Sequence, residues 1–314
     1  MKRAFKSPLR GIIPPLITPL LDNNTLDIEG FQRLIEHTIS GGVHGIFILG
    51  TTGEFASLSY KLRMELIERT CLYVRGRVPV LVGITDSAFS ESLTLAKVAA
   101  DCGADAVVLA PPYYFASGQP ELLEYLKRIM IQMPLPLFIY NMPIHTKVIF
   151  EPETVKEAAT IPGIIGMKDS SSNLAYFKQV QYALRDRLDF TFMVGPEEFM
   201  AEFVLTGGHG GVNGGANMFP RLYVELYNAA VNHDFEKILP LQQKVMQIST
   251  TIYEVGHYGS RYLKGLKCAL SVMGICNDFM AEPFHRFKEP ERMKISQLLE
   301  DLNYRELIHK NNNN

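Results

Sequence analysis

Cysteine is scarce in this chain of 314 residues, and no pair of cysteines has the CxxC spacing. The four cysteines, Cys71, Cys102, Cys268 and Cys276, have mostly apolar neighbours. Isolated cysteines of this kind are typical of buried free thiols, and they do not form the pattern of a disulfide framework or a zinc site. The cysteine content therefore predicts a reducing compartment, and we expect a cytoplasmic protein.

Patterns for metal and nucleic-acid binding are also absent. None of the eight histidines is paired as HxH or HExxH, so the sequence predicts no metal site. The 31 basic residues are balanced by 33 acidic residues and form no long basic run, which argues against nucleic acid as a partner. We therefore expect the partner to be a small molecule.

No apolar run is long enough to span a membrane. The first apolar segment, Gly11–Leu21, contains three prolines and runs into a polar stretch instead of a small-residue cleavage site. These features exclude both a membrane span and a secretory signal at this position. At the other end of the chain, Asn311–Asn314 is a polar tail that we predict to be disordered.

Short apolar runs alternate with amphipathic stretches of helical length, which is typical of parallel strands joined by crossover helices. The predicted strands are Gly11–Ile17, Gly45–Leu49, Val78–Gly83, Ala106–Ala110, Leu137–Tyr140, Ile164–Met167, Phe190–Val194 and Gly210–Val212. Predicted helix starts are Asp27, Ser59, Ser87 and the first turn at Pro120-Glu121. Because eight βα units fit in one chain and no GxGxxG follows the first strand, the pattern favours an α/β fold of the (β/α)8 TIM-barrel type over an open sheet.

The strand pattern stops at residue 219, and only helical patterns follow. We predict a barrel over residues 1–232 and a C-terminal extension of three helices over residues 233–310. The three helices are predicted over Phe235–Tyr253, Arg261–Met273 and Glu291–Asn303. Since no Ser/Pro-rich linker separates the two parts, we expect the extension to pack on the barrel as one structural unit.

Lys168 is the most informative residue, because it directly follows the apolar stretch Ile164–Met167. An amine buried at a strand end is driven toward its neutral, nucleophilic form. Catalysis in barrels takes place where strands end, and three other predicted strands end in polar or aromatic residues. These ends are Gly50-Thr51-Thr52-Gly53-Glu54, Pro111-Pro112-Tyr113-Tyr114 and Tyr140-Asn141-Met142-Pro143.

Four motifs in this order resemble a known family: Gly50-Thr51-Thr52-Gly53-Glu54, Tyr140-Asn141-Met142-Pro143, Gly166-Met167-Lys168-Asp169-Ser170, and the run Gly207–Gly210 leading to Ala216-Asn217. Over about residues 8–300 the chain is similar to the dihydrodipicolinate synthase and N-acetylneuraminate lyase family of pyruvate-dependent class I aldolases. The resemblance implies a lyase that needs no cofactor. It also implies a homotetramer built as a dimer of dimers.

The resemblance assigns roles to residues of this chain. Lys168 is the Schiff-base lysine, Tyr140 the proton-relaying phenol, and Thr51 the link to a second tyrosine, Tyr114, which reaches across a subunit boundary. The backbone and hydroxyls of Thr51, Thr52 and Gly53 hold the pyruvate carboxylate. Further residues that we expect at the substrate are His145, Gly195, Val212 and Gly214. Glu54 is expected to make a structural hydrogen bond to loop amides.

Two departures from the family pattern bear on the substrate. The synthases carry an arginine followed by Thr-Gly where this chain has His145-Thr146-Lys147, and the sialic-acid lyases have Ser-Thr in place of Thr51-Thr52. A histidine cannot make the bidentate contact of an arginine to a carboxylate. We therefore expect cleavage or formation of a bond between pyruvate and an aldehyde, on a 2-keto-3-deoxy sugar acid or related hydroxy-keto acid. Dihydrodipicolinate synthase of lysine biosynthesis is the alternative.

Two further hypotheses belong to other classes of protein. The glycine run Gly207–Gly215 is compatible with a phosphate-binding loop, with His209 or Asn213 as auxiliary ligands, since loops after barrel strands 7 and 8 often bind phosphate. The second hypothesis is a barrel that binds a keto acid without catalysing a reaction. Borohydride trapping with pyruvate separates both from a Schiff-base enzyme.

Overall fold

The computed structural model describes residues 7–308, and the predicted disordered tail at 311–314 lies outside these residues. Eight strands alternate with helices, as the apolar pattern predicted. The strands are β1 (Gly11–Ile12), β2 (Ile46–Ile48), β3 (Val80–Gly83), β4 (Ala106–Leu109), β5 (Leu137–Asn141), β6 (Ile164–Asp169), β7 (Thr191–Val194) and β8 (Gly210–Gly211).

All the strand pairs are parallel, and the sheet has the order β1-β8-β7-β6-β5-β4-β3-β2. The segments that carry β1 and β2 also meet, since the Leu16 amide donates to the Phe47 carbonyl at 2.8 Å and the Phe47 amide donates to the Pro14 carbonyl at 3.1 Å. Eight curled parallel strands with helices between them are consistent with a (β/α)8 barrel.

Most predicted strands differ from the observed ones by one or two residues at their ends, and the differences at β1 and β6 bear on the site. β1 ends at Ile12 instead of residue 17, because Pro14 and Pro15 have no amide hydrogen to donate to a ladder. β6 extends through Lys168 and Asp169 instead of ending at Met167. Lys168 therefore lies within the strand, where the backbone ladder fixes its direction.

The helices of the first eight βα units are α1 (Ile28–Ser40), α2 (Tyr60–Val74), α3 (Phe89–Cys102), α4 (Gln119–Met130), α5 (Pro143–Thr146), α6 (Pro152–Ala158), α7 (Leu174–Ala183), α8 (Met200–Leu205) and α9 (Pro220–Val231). The predicted caps Asp27 and Ser59 accept from the amides of Gly30 and Leu62. The predicted start at Ser87 is wrong, because α3 begins after Ala88, and Asp86 instead accepts from the Ala88 amide at 2.9 Å.

Side chains divide into two apolar clusters on the two faces of the sheet. Phe138 and Tyr140 belong to the inner cluster, which also contains Phe47 and Met193. The alternate residue Ile139 belongs to the larger cluster between strands and helices. This period of two directs Tyr140 into the interior of the sheet, toward the site described below.

Four helices follow α9: α10 (Phe235–Thr251), α11 (Arg261–Val272), α12 (Glu289–Asp301) and α13 (Tyr304–Ile308). The sequence predicted three, and the short α13 was missed. α11 contacts the loop after β2 through Tyr262 and Lys267, and it contacts the loop after β8 through Tyr262. Within residues 7–308, no helix is long and apolar enough to cross a membrane.

Candidate functional site

A cavity of about 520 Å³ opens where the strands end, between the loops after β2 to β5 and the chain around the start of α11. Thr51, Tyr140 and His145 line it. Its remaining lining includes Phe47, Thr85, Tyr113, Met142, Ser260 and Tyr262.

Lys168 and Tyr140 are direct neighbours in the sheet, because the register pairs these two residues of β6 and β5. Lys168 is 6% exposed, and its Nζ lies 4.0 Å from the centroid of the Tyr140 ring and 5.2 Å from that of Phe47. Within residues 7–308 no carboxylate oxygen lies within 4.0 Å of this Nζ. The amine is therefore buried against two aromatic faces without an ion-pair partner.

Tyr140 is 5% exposed, and its hydroxyl lies 3.3 Å from the Thr51 hydroxyl. Burial by itself raises the pKa of Tyr140. The positive charge of Lys168 and hydrogen bonds with Thr51, Ser170 and Lys168 outweigh burial, so the pKa lies below its ordinary value. A phenol with a lowered pKa releases and recovers a proton more readily, which suits a general acid/base.

The loop after β2 presents two unpaired backbone donors. The Gly53 amide donates to the Gly50 carbonyl at 3.0 Å and closes the turn, whereas the amides of Thr51 and Thr52 donate to no carbonyl within residues 7–308. The Thr52 hydroxyl lies 3.3 Å from the Tyr262 hydroxyl. Thr51 and Thr52 can thus bind an anion through their amides, whereas the Gly53 amide is already used.

The carboxyl group of Asp169, the last residue of β6, accepts hydrogen bonds from neutral donors. Asn141 donates to Asp169 at 2.8 Å and the Ser171 hydroxyl donates to its other oxygen at 2.9 Å. Burial raises the pKa of Asp169 more than these hydrogen bonds and Lys168 lower it. The contacts fix the loop that follows Lys168.

Gly195 and Gly214 have no room for a side chain. A Cβ at Gly195 would collide with the Ser170 hydroxyl, and one at Gly214 would collide with the Tyr262 hydroxyl. Val212 is 4% exposed, belongs to the inner cluster and donates its amide to the Val194 carbonyl. These three residues shape the end of the sheet beside Lys168.

Tyr114 does not line the cavity of its own chain. Its side chain is 72% exposed and contacts Phe115 edge to face, at 5.0 Å between ring centroids, while Tyr113 lines the cavity. His145 is solvent-accessible at the cavity wall, where desolvation lowers the pKa of its imidazole.

Glu54 accepts the expected loop amide, from Ala281 at 3.0 Å, but its main partner was not predicted. Lys267 of α11 binds the same carboxylate at 2.6 Å, and both side chains are almost fully buried. Tyr262 was also missed. No sequence signal connects α11 to a loop more than 200 positions earlier, so neither contact could be found from the motifs.

The glycine run serves as a strand. The Gly11 amide donates to the His209 carbonyl, the Ile13 amide donates to the Gly211 carbonyl, and His209 Nδ1 accepts from the Phe192 amide. Asn213 donates to the Gly195 carbonyl at 3.0 Å. His209 Nδ1 and the side-chain amide group of Asn213 thus make contacts within the barrel.

Cys268 and Cys276 are buried free thiols, Cys102 is a half-buried free thiol, and Cys71 is half-buried. Within residues 7–308, no group of three or more histidine, cysteine or acidic side chains is placed to hold a metal ion.

Comparison with known proteins identifies the family. Residues 8–302 match the dihydrodipicolinate synthetase family model, and the chain belongs to this family. Its members are pyruvate-dependent lyases of the aldolase type, so the chain is an enzyme of this class.

Relatives are similar over nearly their whole length. A 4-hydroxy-tetrahydrodipicolinate synthase from Phenylobacterium zucineum is 29% identical over 93% of this chain and 97% of its own. The structure of dihydrodipicolinate synthase from Bacteroides thetaiotaomicron is 64% identical, with a TM-score of 0.93, over 95% of this chain and all of that one (100%). YagE from Escherichia coli K12, a prophage protein of the same family solved with pyruvate, is 28% identical with a TM-score of 0.89 over 95% of this chain and 100% of its own.

Proposed function

We propose that Lys168 forms a Schiff base with pyruvate or a 2-keto acid, and that the enzyme cleaves or forms the bond between pyruvate and an aldehyde in a 2-keto-3-deoxy sugar acid or related hydroxy-keto acid. The observation that carries this proposal is the buried Lys168 amine, which has no ion-pair partner among residues 7–308 and lies 4.0 Å from the centroid of the Tyr140 ring. YagE, solved with pyruvate, has the same fold.

The neutral amine attacks the C2 ketone, and loss of water leaves an iminium ion that draws electrons from C3. Tyr140 accepts the proton of the C4 hydroxyl, the C3–C4 bond breaks, and the aldehyde leaves with the enamine still on Lys168. Protonation at C3 restores the iminium, and water then releases pyruvate and the free amine. The lowered pKa of Tyr140 supports this role, and its 3.3 Å contact connects it to Thr51.

The free amides of Thr51 and Thr52 would hold the pyruvate carboxylate without a cation. Gly53 would shape the turn, and Gly195 and Gly214 would let the hydroxyls of Ser170 and Tyr262 approach the end of the sheet, where Val212 would pack beside the substrate.

The choice of aldehyde rests on the cavity wall. Lys168 is not among the residues that line this cavity, but the two rings that it contacts, those of Tyr140 and Phe47, are. No arginine or other lysine lines it, and its acidic residue Glu54 is neutralised by Lys267. Desolvation lowers the pKa of His145, which favours its neutral imidazole. Hydroxyl groups, including those of Ser57, Thr85 and Tyr113, supply the polar lining. This wall suits a hydroxylated aldehyde better than one that carries a carboxylate.

The test compares kcat/KM for pyruvate release from 2-keto-3-deoxy sugar acids with kcat/KM for condensation of pyruvate with aspartate semialdehyde. We expect the first to be larger by about tenfold to a hundredfold, the value of one charged hydrogen-bonded contact. His145→Arg should shift the ratio toward the semialdehyde, and His145→Gln should leave it unchanged. Faster condensation by the unaltered enzyme would instead support the synthase.

Dihydrodipicolinate synthase is the second candidate, because the curated relatives and the 64% identical structure carry that name. A keto-acid-binding barrel without catalysis is a remote third. Adding pyruvate and borohydride and weighing the intact protein excludes this third candidate if an irreversible adduct forms.

We further propose a cytoplasmic homotetramer, a dimer of dimers, in which Tyr114 completes the hydroxyl relay of a neighbouring chain. The exposed aromatic pair Tyr114 and Phe115 supports an interface at this loop. Residues 1–232 and 233–310 would form one structural unit, supported by the buried pair of Glu54 and Lys267. Light scattering of the purified protein tests the assembly, and loss of activity on dilution to monomers tests the role of Tyr114.

A further inference from the structure

A second cavity, of about 340 Å³, lies between the segment that leads into α11 and the segment that leads into α12. It adjoins the candidate active site, because Tyr258 and Ser260 line both cavities. A molecule bound here would therefore contact the same loop that forms one wall of the reaction cavity.

The lining of this second cavity is strongly basic. Its acidic lining residue is Glu291. Four cationic side chains and two histidines also line it: Arg261, Lys264, Arg286, Lys288, His257 and His285. Two of the cations have partners outside the cavity, Glu254 for Arg261 and Asp278 for Arg286. The two lysines have no carboxylate oxygen within 4.0 Å in the described part of the chain.

The side chain of Lys264 is the main evidence that this cavity binds an anion. The residue is 6% exposed, and no acceptor in residues 7–308 receives a hydrogen bond from its amine. Glu291 is the carboxylate whose charge acts on it, from beyond ion-pair distance. Burying an unpaired ammonium is costly, and an anion in the cavity would offset that cost.

Two further features select the anion. α12 begins at this cavity, and its N-cap residue Lys288 makes no side-chain capping hydrogen bond, so the positive end of the helix dipole faces the ligand space. Glu291 Oε2 is buried and has no hydrogen-bond partner among the described residues. A carboxylate oxygen can only accept hydrogen bonds, so Glu291 Oε2 requires a ligand that carries a hydrogen-bond donor.

We propose that this cavity binds a hydrogenphosphate group, with Lys264 and Lys288 as cationic contacts and Glu291 accepting the hydrogen bond of the protonated phosphate oxygen. The group comes either from free inorganic phosphate or from a phosphate at the distal end of the substrate. Only the substrate source rests on the proposed function. Sulfate, which carries no proton near neutral pH, binds more weakly.

The binding test titrates inorganic phosphate into the full-length enzyme by calorimetry, with ionic strength held constant by sodium chloride. We expect saturable binding that weakens by about tenfold or more in Lys264→Gln, the usual effect of losing one charged hydrogen bond. Lys288→Gln changes an exposed residue and serves as a second variant that keeps the fold. Lys294→Gln, an exposed lysine of α12 outside the cavity, is the matched control and should bind phosphate unchanged.

Glu291→Gln should reduce the preference for phosphate over sulfate, since an amide can donate to sulfate. Equal binding of sulfate and phosphate by the unaltered enzyme would contradict the role of Glu291. No saturable phosphate binding at millimolar concentrations, or binding that both lysine variants leave unchanged, would overturn the site.

Kinetics then distinguish the two sources. If the phosphate is free, inorganic phosphate changes kcat/KM for the unphosphorylated substrate, and Lys264→Gln removes that response. If the substrate carries it, the variant raises KM for a phosphorylated 2-keto-3-deoxy sugar acid and leaves the unphosphorylated one unaffected. Borohydride trapping of pyruvate on Lys168 needs no phosphate, so failure of the Schiff-base proposal is detected separately.

Discussion

Two buried lysines of this enzyme have opposite surroundings. Lys267, in α11, is fully buried and binds Glu54 at 2.6 Å. Lys168, in β6, is also almost fully buried, but it faces the rings of Tyr140 and Phe47 without a carboxylate partner within 4.0 Å in residues 7–308. The paired ammonium cross-links two parts of the chain, whereas the unpaired amine has no carboxylate to hold it. Burial alone therefore does not distinguish a reactive lysine from a structural one.

Removal of the unpaired amine should have the largest effect. We expect Lys168→Ala to abolish both turnover and borohydride trapping of pyruvate, because the covalent step has no other nucleophile, while the unfolding transition is retained. Steady-state kinetics measure turnover, mass spectrometry after borohydride treatment measures trapping, and circular dichroism measures the unfolding transition. Lys244→Ala, at an exposed lysine of α10, is the control. A pyruvate adduct on the Lys168 variant would show that another amine reacts.

Loss of the neighbouring phenol should slow turnover and leave the amine in place. For Tyr140→Phe we expect imine trapping to persist and kcat to fall by roughly 10²–10⁴-fold, the range for a lost general acid/base. Steady-state kinetics with a coupled lactate dehydrogenase assay provide the measurement. Activity within a few-fold of the unaltered enzyme would assign Tyr140 to packing only.

Breaking the paired lysine should reduce stability instead of removing a reactive group. Lys267→Met leaves the Glu54 carboxylate buried with the Ala281 amide as its remaining contact, and we expect a loss of about 3–5 kcal/mol in the free energy of unfolding. Urea unfolding measures it, with Lys244→Met as the control. The double variant Glu54→Gln with Lys267→Met should recover part of the loss, because no buried charge remains. A loss below about 1 kcal/mol would mean that the pair contributes as little as a surface ion pair.

A third buried ionisable group extends the comparison to a carboxylate held by hydroxyls. Glu197 accepts from Tyr223 at 2.5 Å, from Tyr253 at 2.8 Å and from the Gly215 amide at 2.9 Å. Burial raises the pKa of Glu197 to about 7, against these hydrogen bonds. The folded state then holds a proton that the unfolded state releases, so stability should fall as pH rises from the ordinary carboxyl value to about 7.

The expected fall is on the order of 2–3 kcal/mol, the smallest of these effects. Glu197→Gln removes the titrating group and should flatten this part of the pH dependence, whatever its effect on stability at one pH. Urea unfolding near pH 5 and about pH 8 compares the two proteins. Equal pH dependence in both would show that Glu197 is ionised throughout.

Local sequence patterns predicted most of the fold, because apolar residues recur at one spacing in strands and at another in helices. The strand β5 was predicted to within one residue, since its apolar run is bounded by clear signals. The β1 and α3 boundaries failed where prolines and a neighbouring aspartate competed with the pattern. The rim residues Thr51 and Tyr140, which are 89 positions apart, were placed together because parallel strands of one sheet end at the same edge.

The sequence by itself thus determined the alternation of strands and helices, the family, and the order of motifs around Lys168. Tertiary structure alone decided which buried lysine has a carboxylate partner, that Tyr262 contacts Thr52, and that Lys264 faces a basic cavity. The physical reason is range. Periodicity and capping depend on residues a few positions apart, whereas the pairing and desolvation of a charge depend on groups that only folding brings within a few ångströms.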